Sequence, residues 1–260
     1  IITTYNWPES LLLVLDSIKN QTIIPNEVII ADDGSNFTTL DSIKKYTENS
    51  NLNIIHSWQE DIGFRAARSR NKAISKSTGD YIILIDGDTI LHRDFIKDHV
   101  EKSEHGFFVQ GRRSLLSKEL TKKALAKKII DFSYLSSGLN NRKNAIHSSL
   151  LSMIFSNKKN HLRGIMSCNM SFFKKDSLNI NGFNNKFEGW GREDSEFIVR
   201  MINSGINRKN IRFNAIQFHL WHNENPRASL ESNDAILNNA INRKLTWCEN
   251  GIRSIEEDES

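Results

Sequence analysis

Short apolar runs alternate with amphipathic segments through the first half of the chain. The apolar runs predict strands at residues 1–5, 27–31, 53–55 and 81–85. Apolar side chains at helical spacing predict helices between them, at residues 8–18, 39–48 and 65–75. Repeated β-α-β units of this kind imply an α/β fold, with a mostly parallel sheet and helices on both faces.

The run from Tyr81 to Ile85 is uninterrupted, which is typical of a strand buried on both faces. Asp86 and Asp88 follow where this strand ends. Ligands of open α/β sheets bind outside the carboxyl ends of the strands, so we expect a site there. An Asp-x-Asp pair at that place can hold a divalent cation, which in turn neutralises a diphosphate. A solvated turn is the alternative, because Asp and Gly are ordinary turn residues.

The middle of the chain, residues 115–162, has a different pattern. Its apolar residues lie near helical spacing with lysines between them, namely Leu116, Leu120, Ala124, Ile129 and Ile130. The pattern predicts a basic amphipathic helix or helical pair, which covers the site, touches a membrane surface or packs against the core. The final third predicts strands at residues 170–173 and 215–219 and a helix at residues 194–204.

Composition places the chain among globular proteins. Its 260 residues are 38% hydrophobic and 25% charged, and they fit one large domain or one domain with a long insertion. No apolar run of the sequence approaches the ~20 residues that cross a bilayer. Cys168 and Cys248 lie far apart and form no metal-like cluster, so we expect a reducing, cytoplasmic setting. The chain opens on Ile1 inside a strand-like segment, from which we expect that further residues precede it.

The net charge of +4 conceals an uneven distribution of charged residues. The bases concentrate in one block, namely Arg112, Arg113, Lys118, Lys122, Lys123, Lys127, Lys128, Arg142, Lys143, Lys158 and Lys159. Only Glu119 and Asp131 oppose them within this block. Such a block suits phosphates, an anionic lipid surface or nucleic acid, and a solvated helix face is the simpler alternative.

Charged side chains also stand at the boundaries of other predicted elements. Asp32 and Asp33 end the second strand on the same sheet edge as the Asp-x-Asp pair, although a plain turn has the same composition. Arg65, Arg68 and Arg70 begin the third helix, and guanidinium groups at a helix start suit phosphate oxygens. Arg68 and Arg70 fall on different helix faces, so we expect one of them to be only a surface residue.

The final third carries two more pairs of polar residues. Glu193 and Asp194 follow Gly-Trp-Gly-Arg, where a carboxylate can act as a general base or can simply stabilise a helix N-terminus. His219 and His222 come three residues apart after a strand, as metal ligands or as ordinary loop residues. Together with Asp88 they would make a mixed oxygen and nitrogen site that suits manganese.

Five motifs follow one another in the order found in family 2 glycosyltransferases, which the sequence therefore resembles. They are Thr3-Thr4-Tyr5-Asn6, Ala31-Asp32-Asp33-Gly34-Ser35, Arg65 with Arg70-Asn71, Asp86-Gly87-Asp88 and Gly189-Trp190-Gly191-Arg192-Glu193-Asp194. The last motif, with His219-Leu220-Trp221-His222, is similar to the C-terminal galactosyltransferase-type region of animal β-1,4-galactosyltransferases and bacterial chondroitin polymerases. The resemblance runs from Thr3 to about Arg227. It implies the GT-A fold, a Rossmann-like nucleotide-binding sheet with an acceptor-side C-terminal region.

The resemblance implies that Thr3, Asp33, Arg65 and Asp86 bind a nucleotide sugar. Asp33 would contact the base, because a carboxylate can accept a hydrogen bond from a uracil N–H or a ribose hydroxyl. Arg65 would be the arginine that contacts the nucleotide. Asp86 would reach the ribose or the metal.

The resemblance also implies a metal centre, with Mn²⁺ or Mg²⁺ as the cofactor. Asp88 and His222 would be its firmer ligands and His219 the weaker one. His219 stands where the galactosyltransferases have a Met, and this departure makes the site harder and richer in nitrogen.

The implied reaction is inverting sugar transfer from a UDP-hexose or UDP-N-acetylhexosamine to a glycan, a glycoprotein or a lipid-linked acceptor. Asp194 would remove the proton of the acceptor hydroxyl, and Glu193 would bond to sugar hydroxyls. Trp190 would lie against the acceptor sugar, in a loop that its glycines leave free to move. The implied regions are a nucleotide-sugar-binding half (1–110), a basic helical insertion (111–162), an acceptor-binding and catalytic half (163–230) and a C-terminal helix with an acidic tail (231–260).

Two other classes of protein compete with this interpretation. A sugar-nucleotidyltransferase would show a glycine-rich, basic loop for a triphosphate, and residues 3–8 contain neither glycine nor a base. A non-catalytic carbohydrate-binding or nucleic-acid-binding module would not need all of Asp86, Asp88, Asp194, His219 and His222. The basic block lacks the aromatics that stack on single strands, so we expect no nucleic acid partner. We expect a cytoplasmic protein that can touch the inner face of the membrane, and donor sugar, acceptor, linkage and oligomeric state stay open.

Overall fold

The chain folds around two sheets. A computed structural model describes residues 1–223 and 226–258, with side chains up to residue 255. The strands are β1 (Ile2–Thr4), β2 (Val28–Asp32), β3 (Ile54–Trp58), β4 (Tyr81–Asp86), β5 (Thr89–Leu91), β6 (Phe107–Gln110), β7 (Ser114–Leu116), β8 (Leu139–Asn140), β9 (Asn157–Lys158), β10 (Met170–Phe173), β11 (Asn207–Asn210) and β12 (Gln217–His219). The helices are α1 (Pro8–Lys19), α2 (Phe37–Glu48), α3 (Ala66–Lys76), α4 (Phe95–Lys102), α5 (Lys118–Lys127), α6 (Ser149–Phe155), α7 (Lys174–Asn179), α8 (Glu193–Asn203), α9 (Leu230–Asn242) and α10 (Ile252–Asp258).

The larger sheet has the strand order β3-β2-β1-β4-β10-β6-β11-β9. Its first four strands are parallel to one another, and β11 is parallel to β6. Strand β10 is antiparallel to both of its neighbours, because the chain already lies at the carboxyl edge when the strand begins. There the carbonyl of Asn169 accepts a hydrogen bond from the Gly111 N–H at 2.9 Å. The predicted α/β architecture with a mostly parallel sheet is confirmed.

Local signals explain where the elements begin and end. Helix α2 begins at Phe37, two residues before its predicted start, because the side chain of Asn36 caps the N–H groups of Thr38 and Thr39. Strand β12 begins two residues later than predicted, because Ala215 has a φ of 49°, which a strand cannot contain. Residues 256–258 of the predicted acidic tail belong to α10, and Glu259 lies outside the described residues.

Apolar clusters cover both faces of the larger sheet, as the sequence predicted. One cluster joins the sheet to α1 through side chains such as Leu11, Leu15 and Ile30. The other joins it to α3 and α8 through side chains such as Ile74 and Phe197. Each of these side chains is almost completely removed from water, which is the main stabilising term in folding.

The smaller sheet, in the order β5-β12-β7-β8, supports the middle of the chain. The apolar side of α5 packs against it, with Ala124 and Leu116 buried beside Phe218. The lysines of α5 are exposed, so this helix follows the core-packing alternative raised above. No helix in the described part of the chain is long and apolar enough to cross a membrane. Cys168 and Cys248 are both buried free thiols.

A buried ion pair lies within helix α8. The guanidinium of Arg200 donates to both carboxylate oxygens of Glu196, at 2.7 and 2.8 Å. It also donates to the carbonyls of Ile180 and Gly182, at 2.6 and 2.7 Å. Both side chains are fully buried, so the pair ties α8 to the segment that follows α7. Removal of one partner leaves a charge without compensation in the core.

We expect Arg200→Leu to lower the free energy of unfolding by about 3–5 kcal/mol, because the carboxylate of Glu196 stays buried alone. Urea denaturation measures this change. Lys45→Leu is the matched control, since Lys45 forms an equally spaced but exposed pair with Asp41 and its loss should have no measurable effect. Adding Glu196→Leu to Arg200→Leu should restore part of the loss. Equal effects of the two single variants would contradict the interpretation.

Candidate active site

The carboxyl ends of the parallel strands bring the predicted motifs to one edge of the sheet. Thr3 on β1 lies opposite Asp86 on β4 and opposite Ala31 on β2. The N–H of Gly87 donates to the carbonyl of Thr3 at 2.7 Å, so the Asp-Gly-Asp turn lies directly on β1. A Cβ at Gly87 would come within 3.0 Å of the Thr4 hydroxyl oxygen. Glycine between the two aspartates therefore permits the close approach.

Asp33 and its neighbour Asp32 have different surroundings. The carboxylate of Asp32 accepts hydrogen bonds from the Ser35 N–H and from the ring of His56, so it holds the turn together. The carboxylate of Asp33 accepts bonds from the Gln59 amide at 2.5 Å and from the Arg65 N–H at 2.7 Å. Burial raises the pKa of Asp33 to about 6, against the opposing effect of these bonds and of the Arg65 charge. Arg65 donates its guanidinium to the carbonyl of Glu60 at 2.6 Å.

Arg70 is the side chain that joins the separate motifs. Its Nε donates to the hydroxyl of Thr3 at 3.0 Å, and its Nη1 donates to Glu193 Oε1 at 3.1 Å. Its Nη2 lies 3.5 Å from Asp86 Oδ1. The side chain is only 5% exposed. A cation in the centre of the site therefore connects the first strand, the Asp-x-Asp turn and the Glu-Asp pair.

The sequence interpretation underrated Arg70, since it regarded Arg68 or Arg70 as a surface residue. Arg70 is buried with Ala66, Ala73 and Ile74, which lie four positions before and three and four positions after it. These positions share one helix face, so the helical pattern itself marks Arg70 as facing the sheet. Arg68 is half-buried and donates to the amide oxygen of Gln59 at 3.1 Å.

A second group of side chains surrounds Asp88. Strand β12 pairs with β5, placing His219 opposite Thr89, and the Leu220 N–H donates to the Asp88 carbonyl at 2.9 Å. The Nε2 atoms of His219 and His222 consequently lie 3.4 and 3.2 Å from Asp88 Oδ2. The three predicted metal ligands are thus brought together, with their ligand atoms within 4.8 Å of one another.

The chemistry of this group fits a divalent cation. The other oxygen of Asp88, Oδ1, is buried and has no hydrogen-bond partner among the described residues. Burial lowers the pKa of His219 to about 4, so the ring is neutral and keeps a free lone pair at neutral pH. One carboxylate and two imidazoles form the mixed donor set that manganese and zinc accept. An orphaned buried oxygen beside two imidazoles is therefore explained if a cation binds there.

Arg113 is a further site residue that the motifs did not identify. Its positive charge acts to lower the pKa of both Asp86 and Asp88. For Asp86 burial is the larger effect and raises the pKa to about 6. For Asp88 the two histidines and Arg113 together outweigh burial, and its pKa lies below the ordinary value. In the sequence Arg113 appears only as one member of the basic block, and the structure places it just beyond β6, at the same sheet edge.

Glu193 and Asp194 form the first turn of α8, so the helix start and the candidate base coincide. Burial and the adjacent Glu193 raise the pKa of Asp194 to about 7, against the opposing charge of Arg70. Its carboxylate accepts a hydrogen bond from the Ser195 hydroxyl at 3.3 Å. A carboxylate that titrates near neutral pH is suited to accept a proton from a substrate.

The Gly-Trp-Gly loop before α8 is held in place by its surroundings. The amide of Asn233 on α9 donates to the carbonyls of Glu188 and Gly191, at 3.2 and 2.9 Å. A Cβ at Gly189 would come within 2.3 Å of the Ser229 hydroxyl oxygen, so only glycine fits there. Trp190 is 40% exposed at the tip of this loop. The glycines therefore allow close packing against the start of α9. In this structure the hydrogen bonds from Asn233 hold the loop that the sequence predicted to be free to move.

Other cavities and clusters lie away from this edge. A mostly apolar cavity of about 380 Å³ opens at the amino ends of the strands, between residues such as Ile18, Val28 and Tyr81. His92, Asp94 and His147 form another group with metal-ligand atoms, beyond the end of β5. The rings of His92 and His147 are stacked with their centroids 4.6 Å apart, a geometry in which one cation cannot lie in both ring planes. The charged side chains that could bind a ligand together therefore lie at the carboxyl edge of the larger sheet.

Comparison with protein families identifies the chain. Residues 1–179 match the model of glycosyl transferase family 2. The chain belongs to that family. Residues 150–223 also match a model described as the N-terminal domain of galactosyltransferase, in the part where the sequence predicted galactosyltransferase character. The family predicted from the five motifs is thereby confirmed.

Relatives of this glycosyltransferase domain include polysaccharide synthases. It is 25% identical over 224 residues to a chondroitin synthase of Pasteurella multocida, covering 79% of this chain and 23% of that protein. It is 24% identical over 242 residues to a chondroitin synthase of Escherichia coli, covering 84% and 34% of the two. A hyaluronan synthase of Pasteurella multocida is 28% identical over 222 residues, with 79% and 22% covered. The chain thus spans 22–34% of the length of these relatives.

Solved structures identify the fold of this family member. The crystal structure of S. aureus TarS 1-349 in complex with UDP has a TM-score of 0.60 at 15% identity, covering 91% of this chain and 63% of that one. The complex of the same protein with UDP-GlcNAc has a TM-score of 0.55 at 16% identity, covering 86% and 58%. These neighbours have the GT-A fold, so the predicted GT-A fold is confirmed.

We expect the chain to bind Mn²⁺, and His219→Ala and His222→Ala to weaken binding about tenfold or more, because each removes a nitrogen ligand. Titration calorimetry or the electron paramagnetic resonance of free Mn²⁺ measures the affinity without any substrate. His105→Ala is the control, since this exposed ring stacks on Phe173 away from the site. Unchanged affinity in both histidine variants would mean that the cation binds elsewhere.

Proposed function

We propose that this chain is the catalytic domain of a metal-dependent, inverting glycosyltransferase with a UDP-sugar donor. One observation carries the proposal: Arg70 contacts Asp86, beside the Asp88 cluster, and also contacts Glu193, beside Asp194. The residues proposed to stabilise the diphosphate and the residue proposed as the general base therefore lie at the same edge of the sheet. Inverting transfer in a single displacement needs these two functions together.

Asp194 is the proposed general base. Its carboxylate accepts the proton of the acceptor hydroxyl while that oxygen forms a bond to the anomeric carbon. The bond from the anomeric carbon to the diphosphate oxygen breaks on the opposite face, which inverts the configuration. The pKa of Asp194, raised to about 7 by burial and by Glu193, supports this role near neutral pH.

Glu193 and Arg70 position the reacting groups in this proposal. Glu193 is 13% exposed, so it can bond to a sugar hydroxyl with the oxygen that Arg70 does not hold. The contact of Arg70 with Thr3 fixes the guanidinium at the end of β1. Trp190 offers an exposed aromatic face for the acceptor sugar. The charge of Arg70 is held away from water, where it acts more strongly on a developing negative charge.

The proposed donor is a UDP-hexose or UDP-N-acetylhexosamine. Thr3, Asp33, Arg65 and Asp86 lie along the edge where a nucleotide of this fold class binds. Structural neighbours solved in complex with UDP and with UDP-GlcNAc support the choice of nucleotide. The chondroitin and hyaluronan synthases among the relatives support a glycan acceptor, with glycoprotein and lipid-linked acceptors as the wider class.

The proposed cofactor is Mn²⁺, with Mg²⁺ as the alternative. Asp88, His219 and His222 would hold it, and the two imidazoles favour manganese over the harder magnesium ion. When bound, the cation supplies positive charge that stabilises the departing diphosphate. The charges of Arg113 and Asp86 nearby also contribute to the electrostatic potential at the proposed donor site.

The regions predicted from the sequence form part of the proposal. Residues 1–110 would bind the nucleotide sugar, residues 111–162 would be the basic helical insertion, residues 163–230 would bind the acceptor and residues 231–260 would support them. A cytoplasmic location, with a contact to the inner face of a membrane, completes the proposal.

Release of UDP from a UDP-sugar tests the class of reaction. We expect transfer to stop on chelation with EDTA and to return with added Mn²⁺, because the diphosphate then regains its counter-charge. A screen of UDP-hexoses and UDP-N-acetylhexosamines, with acceptor and without, identifies the donor. Full activity after exhaustive chelation would refute the metal requirement, and absence of UDP release with every donor would favour a binding module.

Asp194→Asn should keep the shape of the site while removing the base. We expect transfer to fall about 100-fold or more, and donor affinity to stay within a few fold of the parent. Initial rates and donor titration by calorimetry measure the two effects. Asp234→Asn is the matched control, because this carboxylate on α9 pairs with Arg192 in the neighbouring loop but lies outside the proposed chemistry. Transfer at the parent rate would exclude Asp194 as the base.

The rate of transfer should fall as the pH drops through about 7, where the pKa of Asp194 lies, because only the ionised carboxylate can accept a proton. Glu193→Gln should move this acid limb to lower pH, since it removes a negative charge that raises the pKa of Asp194. The pH dependence of kcat/KM measures both effects. An acid limb that stays in place in Glu193→Gln would assign it to another group.

A further inference from the structure

Helix α6 presents an apolar face to solvent. Leu150, Met153 and Ile154 are 63, 72 and 61% exposed, and their spacing of three and four residues places them on one side of the helix. Ser152 lies on the other side and is fully buried, so the apolar face is the one that points outward. Surface helices normally show polar side chains there. A contiguous exposed apolar patch usually marks an interaction site.

A cationic cavity of about 210 Å³ lies beside this helix. Its lining includes Arg112, Lys143 and Arg212, together with the aromatic rings of Phe155 and Phe213. Phe155 is the last residue of α6 and packs on Phe213 with a centroid distance of 5.6 Å. Phe155 therefore connects α6 to the cationic cavity, and we name the apolar face of α6 together with this cavity the α6 surface.

The positive charges of the α6 surface lack compensation. No carboxylate lines the cavity, and the side chains of Arg112, Lys143 and Arg212 form no ion pair within residues 1–223 and 226–255. Burial and the nearby Arg212 hold the pKa of Arg112 below its ordinary value, as expected for cations that repel one another. Cations in this arrangement attract an anion. The partner must also cover the apolar side chains of the neighbouring helix.

We propose that the α6 surface binds an anionic lipid bilayer, with headgroup phosphates in the cationic cavity and Leu150, Met153 and Ile154 in the acyl boundary. Interfacial helices combine these two features, an apolar face that enters the boundary and basic side chains beside it. An acidic glycan would neutralise the cations but leave the apolar face in water. A second copy of this chain would cover the apolar face but place like charges opposite one another.

The α6 surface differs from α5, which carries more lysines. The apolar side chains of α5 are packed in the protein, so Lys122 and Lys123 stand on a solvated face with no apolar group to insert. Electrostatic attraction alone would favour α5, whereas combined attraction and insertion favours α6. The two helices therefore give different expected effects on substitution. Neither effect depends on the proposed transferase reaction.

Cosedimentation with vesicles tests the proposal, without nucleotide or metal. We expect binding to vesicles of equal parts phosphatidylcholine and phosphatidylglycerol, weakened by salt, and little binding to phosphatidylcholine alone. The double variant Met153→Ser with Ile154→Ser should lower the partition coefficient about tenfold or more, because the inserted hydrocarbon is lost. Arg112→Gln with Arg212→Gln should lower it about fivefold for each charge removed.

Two control variants match these changes elsewhere on the chain. Lys122→Gln with Lys123→Gln removes the same charge from α5, and Ile241→Ser removes an exposed apolar side chain from α9. Both should bind vesicles nearly as well as the parent. The urea midpoint of each variant tests whether the fold is intact. We expect it to be unchanged, because all the substituted side chains are exposed.

Two outcomes would overturn the proposal, and two further measurements would then identify another occupant. Equal or negligible binding to both kinds of vesicle would exclude a lipid surface. A loss in the α5 control as large as in the arginine variant would mean diffuse electrostatic attraction. If the chain does not bind vesicles but forms a dimer in sedimentation velocity, dissociation of that dimer in Met153→Ser with Ile154→Ser would identify a second copy of the chain as the occupant. Binding of a uronate-containing oligosaccharide that Arg112→Gln with Arg212→Gln abolishes would then identify an acidic glycan.

Discussion

The buried guanidinium of Arg70 is the interaction on which the site depends. A charge at this depth is tolerable only with partners close by, and Thr3, Asp86 and Glu193 supply them from three separate parts of the chain. The same contacts work in the other direction, since Arg70 opposes the mutual repulsion of carboxylates crowded at one sheet edge. The guanidinium of Arg70 thus couples Asp86 electrostatically to the Glu193-Asp194 pair, so neither part of the site has its present electrostatics without the other.

Much of this arrangement is encoded in short-range patterns. Apolar runs located the parallel strands to within one to three residues, and the strand ends marked Asp33, Asp86 and Asp88 as neighbours. The exact roles of adjacent residues were harder to separate. Asp32 turns back to His56 while Asp33 meets Gln59, a difference set by side-chain direction at the end of β2 that composition does not reveal. The resemblance implied Arg65 as the nucleotide contact, whereas the helical spacing of Arg70 with Ala66, Ala73 and Ile74 already placed Arg70 on the face toward the sheet.

The three proposed metal ligands illustrate what only tertiary structure decides. His219 and Asp88 meet because β12 adds to β5 in a small second sheet, and no strand at β5 was predicted from three residues after a turn. Local propensity is too weak in such short strands, and the pairing is determined by the core formed with α5. The resemblance grouped Asp88, His219 and His222 as proposed ligands, and the fold brings their side chains together.

Support for the candidate base reaches beyond the limits of the family descriptions, which end at residues 179 and 223. Asn233 on α9 holds the loop before Glu193, while Asn181 accepts a hydrogen bond from the Ile252 N–H at 3.0 Å and thereby anchors α10. A shorter fragment ending just after His222 would contain every proposed ligand and the proposed base, yet the loop that precedes the base would lose its hydrogen bonds to Asn233 on α9. The unit that can be excised or fused to another domain is therefore longer than the unit that the two family models recognise.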